Sequence, residues 1–155
     1  MADFIIARAA HILAVLMWIG GVGFVTLVLF PSIRRSTRKE ERLAAFHKFE
    51  GRFAPQAAVW VLLAGASGLW MTWRADLWSR FGDLQYWWMH AMVVIWLVFA
   101  AMLFVIEPLF LHRRLRTSRD PAHLFERMER LHRILLALSL ITVLGAVAGS
   151  HGWVW

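Results

Sequence analysis

The stretch Ile12-LAVLMWIGGVGFVTLVL-Phe30 carries no charge and, with the preceding turn from Ile5, exceeds the roughly 20 residues a helix needs to cross a bilayer. It stops at Pro31, ahead of Arg34 and Arg35. A cleaved signal peptide would have a basic start, a shorter apolar run and a small-residue cleavage pattern; here Asp3 stands near the start and no such pattern follows. Three further runs repeat the theme: 54–73, closed by Arg74; 86–111, interrupted only by His90 and Glu107; and 134 to about 153. With spans at about 5–30, 54–73, 86–111 and 134–153, the expected fold class is all-α: one domain, an integral membrane four-helix bundle. Short links make successive helices antiparallel neighbours.

The composition agrees with that expectation. Of 155 residues 60% are hydrophobic, ten are Trp and none is Cys, too apolar a mixture for a small soluble domain to bury. Without cysteine there are no disulfides, iron–sulfur clusters, thiolate zinc sites or covalent c-type haem. The net charge of +7 would suggest nucleic acid in a soluble chain. Seven of the seventeen Lys and Arg fall in 31–53 and seven in 112–133, between apolar runs, so nucleic acid is not the expected partner and the lipid bilayer is. The positive-inside rule then places both basic loops in the cytoplasm of a bacterial-type inner (plasma) membrane, with an N-out, C-out topology. Seven tryptophans (Trp70, Trp73, Trp78, Trp87, Trp88, Trp153 and Trp155) gather at the expected outer boundary as an aromatic belt. The segment 43–53 reads as an amphipathic surface helix leading into the second span.

Seven histidines are the chemistry-bearing residues, because an ionisable side chain at bilayer depth is costly and faces the protein interior. His11 lies nineteen residues before Phe30 and His90 twenty-one before Leu111, on two helices running the same way. Their depths therefore differ by about 3 Å. On diagonal helices of a bundle, such a pair can ligate one iron from opposite sides, the arrangement of a bis-histidine b-type haem. Gly65 and Gly68 on the second span and Gly145 and Gly149 on the fourth leave room for a macrocycle, or else let helices approach closely. Arg8, three residues before His11, and Arg74 are candidate partners for haem propionates; headgroup contact is the other use for both. Trp18, two turns after His11, would pack beneath the ring or fill the core. His151 is a second outer candidate. On the inner side stand His47, His112, His123 and His132 with Glu107, as ligands of a second haem or metal, as a proton relay, or as surface residues. Counting from the outer helix ends puts His47 and His132 about 10 Å apart in depth, which weakens a second haem.

His11 followed by Trp18-Ile-Gly-Gly21, together with Phe30-Pro31 and Arg52-Phe53-Ala54, resembles the copper resistance protein D (CopD) group of small membrane proteins over most of the chain. The layout is also similar to HemJ, a haem-containing membrane family implicated in protoporphyrinogen oxidation, whose third helix carries a W-x-H-x-K element. Trp88-Met-His90-Ala-Met92 keeps the tryptophan and histidine, but Met92 stands where that family has lysine, and Ser32 follows Pro31 where a proline–arginine pair is expected. The resemblance implies haem or metal ligation at His11 and His90.

The leading expectation is thus a membrane b-type cytochrome, with one or two haems, exchanging electrons with a quinone, a redox protein or a small oxidant. Alternatives are copper binding or transport, favoured by Met89 and Met92 beside His90, a HemJ-like protoporphyrinogen oxidase, and a structural subunit of a larger complex or homo-oligomer whose histidines only bond between helices.

Overall fold

A computed structural model describes the backbone of residues 2–111 and 120–153, and the side chains of these residues except 107–111. Helix α1 covers Ala2–Ser36, α2 covers Arg42–Arg74, α3 covers Trp87–Ala101 with a π-helical continuation over Met102–Leu111, and α4 covers Pro121–Ser150. No strand occurs among the described residues. Four helices are long and apolar enough to cross a membrane.

Local chemistry explains where the helices begin. The Asp120 carboxylate accepts from the His123 backbone N–H at 3.0 Å, and Pro121 occupies the first turn, where its missing N–H costs nothing. Asp83 accepts from Gln85 N–H at 3.0 Å in the short turns that lead into α3. The helices overrun the apolar stretches at the basic end. Residues 43–53 are not a separate surface helix but the first three turns of α2, which passes through Pro55 unbroken. Likewise 121–133 belongs to α4, which ends at Ser150 rather than near 153. Charge marks where a helix leaves an apolar medium, not where its hydrogen bonds stop.

Two helices change pitch next to proline. In α1 the segment Val25–Leu29 is π-helical, with Phe30 N–H bonded to Val25 O, immediately before Pro31. In α3 the π-helical stretch Met102–Leu111 contains Pro108. Proline lacks the donor for an ordinary helical bond, and its ring crowds the carbonyl four residues back; the wider turn moves that carbonyl aside.

Contacts between helices run start against end, so neighbours are antiparallel. Arg74 Nε lies 3.1 Å from Asp3 Oδ2, joining the last turn of α2 to the first of α1. The Phe53 ring sits on Gly21, so two of the motifs behind the CopD resemblance touch each other. Trp87 packs on Gly145 and Trp88 on Gly149, tying α3 to α4, while Trp96 packs on Gly65 and donates its Nε1–H to Val61 O at 2.8 Å, tying α3 to α2. A central cluster holds Ala14, Trp18, Val22, Val61, Ala64, Ile95, Phe99 and Leu136. A second, at the basic end, is aromatic: Phe30 stacks on Phe46 with centroids 4.6 Å apart, and Phe125 meets Phe30 edge-on at 5.3 Å. Fully burying each ring contributes about 1.5–3 kcal/mol. Leu16, Leu27, Leu62, Leu69 and Leu144 point outward instead, a surface suited to hydrocarbon rather than water.

Candidate functional site

On α1 the inward stripe runs through His11, Ala14 and Trp18, with Ala14 fully buried and Trp18 nearly so. His11 is half-buried against α2. Its Nδ1 lies 2.9 Å from Ala64 O and 3.0 Å from Ser67 Oγ. A backbone carbonyl only accepts, so Nδ1 carries the ring proton and Nε2 presents a lone pair. That nitrogen makes no hydrogen bond among the described residues. The ring reaches its place because Gly68 has no side chain: a Cβ there would lie 3.2 Å from His11 Cε1. A carbonyl accepting from one nitrogen and a free lone pair on the other is how proteins prepare an imidazole for a metal.

His90 is placed differently. Its Nε2 lies 3.0 Å from Phe81 O and its Nδ1 3.3 Å from Tyr86 O, with the Phe81 ring edge-on at 5.5 Å. Both nitrogens face carbonyl acceptors in the link between α2 and α3, and the shorter contact is the one at Nε2. In this arrangement His90 fastens the link rather than facing His11.

The surroundings of His11 also differ from expectation. Arg8 is exposed, because three residues rotate a helix by about 300° and leave it some 60° off the inward stripe. Arg74 pairs with Asp3 instead of waiting for a propionate. Trp18 is core, edge-on to Phe99 at 5.0 Å. The space above Gly65, Gly145 and Gly149 is filled by Trp96, Trp87 and Trp88, so these glycines admit indoles, and a macrocycle there would have to displace them. The expected belt therefore divides: Trp73, Trp78 and Trp153 are exposed, whereas Trp88 is buried. Met89 is buried too. His151 is exposed at the end of α4, its Nδ1 donating to Val147 O at 2.8 Å, and His123 is exposed on the first turn. Among the described residues no three His, Asp or Glu side chains converge as a metal cage. A haem iron needs fewer, since the macrocycle supplies four nitrogens.

At the basic end His112 and the Glu107 side chain lie outside the described residues. His47 and His132 both lie beside Phe46, with ring centroids 5.9 and 6.0 Å from it. His132 Nδ1 lies 2.9 Å from Met128 O. His47 Nδ1 lies 2.8 Å from Glu50 Oε2. Glu129, only 2% exposed, is bridged by Arg34 of α1 and by Arg133 one turn along α4. Sequence reasoning missed Glu129, yet the stripe Phe125, Glu129, His132, Leu136, Ser139 has helical spacing and points inward throughout.

No family model, no curated protein and no solved structure matches this chain.

Proposed function

We propose that this protein is a four-pass protein of a bacterial-type inner membrane, N-out and C-out, that binds a b-type haem with His11 as its iron ligand. The observation that carries the proposal is the state of His11: Nδ1–H committed to Ala64 O and Nε2 with a free lone pair, in a helix long and apolar enough to cross a membrane. The likeness to the CopD and HemJ families supports the same residue. Bound haem would supply one-electron transfer. Within the chain, Ala64 and Ser67 orient the imidazole, Gly68 gives it clearance, and the core around Trp18 and Phe99 excludes water. To help hold the haem, His90 would have to free one ring nitrogen from Phe81 O or Tyr86 O, so its part in the site is read by substitution.

The test is the absorption spectrum, with haem quantification, of the protein purified in mild detergent. A Soret band at one haem per chain, lost in His11→Ala, is the expected result. In His90→Ala, a shift from six- to five-coordinate iron assigns His90 as second ligand, and an unchanged spectrum leaves it with the link. A colourless protein expressed with ample haem supply, or an unchanged spectrum in His11→Ala, refutes the proposal.

A further inference from the structure

The basic end holds two buried polar atoms that the His11 site does not use. His47 and Glu50 stand one turn apart on α2, each about one-fifth exposed, with Nδ1 and Oε2 in contact at 2.8 Å. The contact lies off the direction a hydrogen bond requires, so Glu50 Oε2 is buried without a bonded donor, and His47 Nε2 is buried with no partner at all. A buried polar group left unsatisfied costs about 1–3 kcal/mol, and two side by side call for a ligand that satisfies both. Beside them the wall is aromatic: Phe46 meets His47 edge-on at 5.9 Å, Phe30 stacks on Phe46, and His132 meets both. The pair sits where α2 passes from Lys48 and Arg52 into the apolar run beginning at Ala54. A molecule entering from the bilayer there needs an apolar body and a polar edge.

We infer that His47 and Glu50 bind the headgroup of a lipid-soluble hydroxy- or carbonyl-substituted aromatic ring, a quinol or quinone. Neutral His47 accepts a quinol O–H at Nε2; the imidazolium form donates from Nε2 to a quinone carbonyl, with the Glu50 carboxylate beside it. Two donors in contact suit a hydrogen-bonding ring, whereas a cation would want at least one ligand more. The inference does not rest on haem at His11.

The experiment uses the full chain in lipid nanodiscs with an azido-substituted short-chain ubiquinone as photoaffinity probe, and decylubiquinone as competitor. Labelling within 43–53, competed by decylubiquinone and weakened about tenfold in apparent Kd by His47→Phe, is the expected result. His47→Gln, which keeps a hydrogen-bonding group, recovers part of the affinity, and Glu50→Gln weakens it should His47→Phe fail to fold. His11→Ala leaves labelling unchanged, so loss of the haem reading does not touch this one. No competed labelling, labelling confined to other segments, or equal affinity in the His47 and Glu50 variants overturns the inference and leaves the two atoms to a bound water.

Discussion

Gly65→Ala would be the most informative single change in the bundle. An added Cβ lies 2.5, 2.6 and 2.7 Å from Cζ2, Cε2 and Nε1 of Trp96, all inside van der Waals contact. The indole must retreat by about 1 Å, which pulls Nε1–H off Val61 O, now at 2.8 Å. Overpacking costs about 1–3 kcal/mol and the lost bond about 1 kcal/mol, against a gain of at most about 1 kcal/mol from replacing glycine in a helix. The net expectation is a loss of about 1–3 kcal/mol. In a Trp96→Ala background the obstacle is gone, and the same substitution becomes neutral or stabilising by up to about 1 kcal/mol. The loss should therefore vanish or reverse in sign between backgrounds, giving a coupling of about 1–4 kcal/mol in a double-mutant cycle. Reversible unfolding from mixed micelles into SDS, followed by ellipticity and tryptophan fluorescence, measures all four corners. Equal destabilisation in both backgrounds would refute the account of Gly65 as a seat for Trp96.

Glu129→Gln removes the charge that Arg34 and Arg133 share; both arginines remain 44% and 62% exposed and keep much of their hydration, so the loss is about 1–2 kcal/mol in the same unfolding assay. His90→Ala frees the link between α2 and α3, and backbone hydrogen exchange over 78–86 should quicken about tenfold while α1 is unaffected. Asp3→Asn weakens a pair nearly half exposed on both sides, so the unfolding midpoint in the same assay should stay close to that of the parent protein; a clear drop would mean that Asp3 does more than pair with Arg74.

The helices were legible because uncharged runs such as 12–30 and 134–142 leave few alternatives to a long apolar rod. Their ends were not: Arg34, Lys48 and Arg130 tell where a helix meets a polar medium, and backbone hydrogen bonding continues past that point. His11 was legible as an inward residue at depth, and its partners Ala64, Ser67 and Gly68 follow only from how α1 and α2 register. The facing of His90 was hidden for the same kind of reason. Residue counting gives height along an axis, whereas Phe81 O and Tyr86 O, which decide the ring's direction, belong to a link whose turns no periodicity announces. The glycines read as room for a macrocycle or for close helix approach, and that indoles lie against Gly65, Gly145 and Gly149 depends on neighbours distant in sequence. Glu129 was obscured by its company: among Arg127, Arg130 and Arg133 it resembles one more surface charge.

The widened turn at Val25–Leu29 gives α1 one residue of slack. An i→i+5 turn holds one residue more than an ordinary one, so removing a single residue between 25 and 29 would restore ordinary pitch while Phe30, Ile33 and Arg34 keep nearly their bearing toward Phe46 and Glu129. The same deletion nearer His11, where the pitch is already ordinary, would turn one half of the rod against the other by about 100°. The first deletion should thus spare both ends of the molecule, and the second should uncouple them.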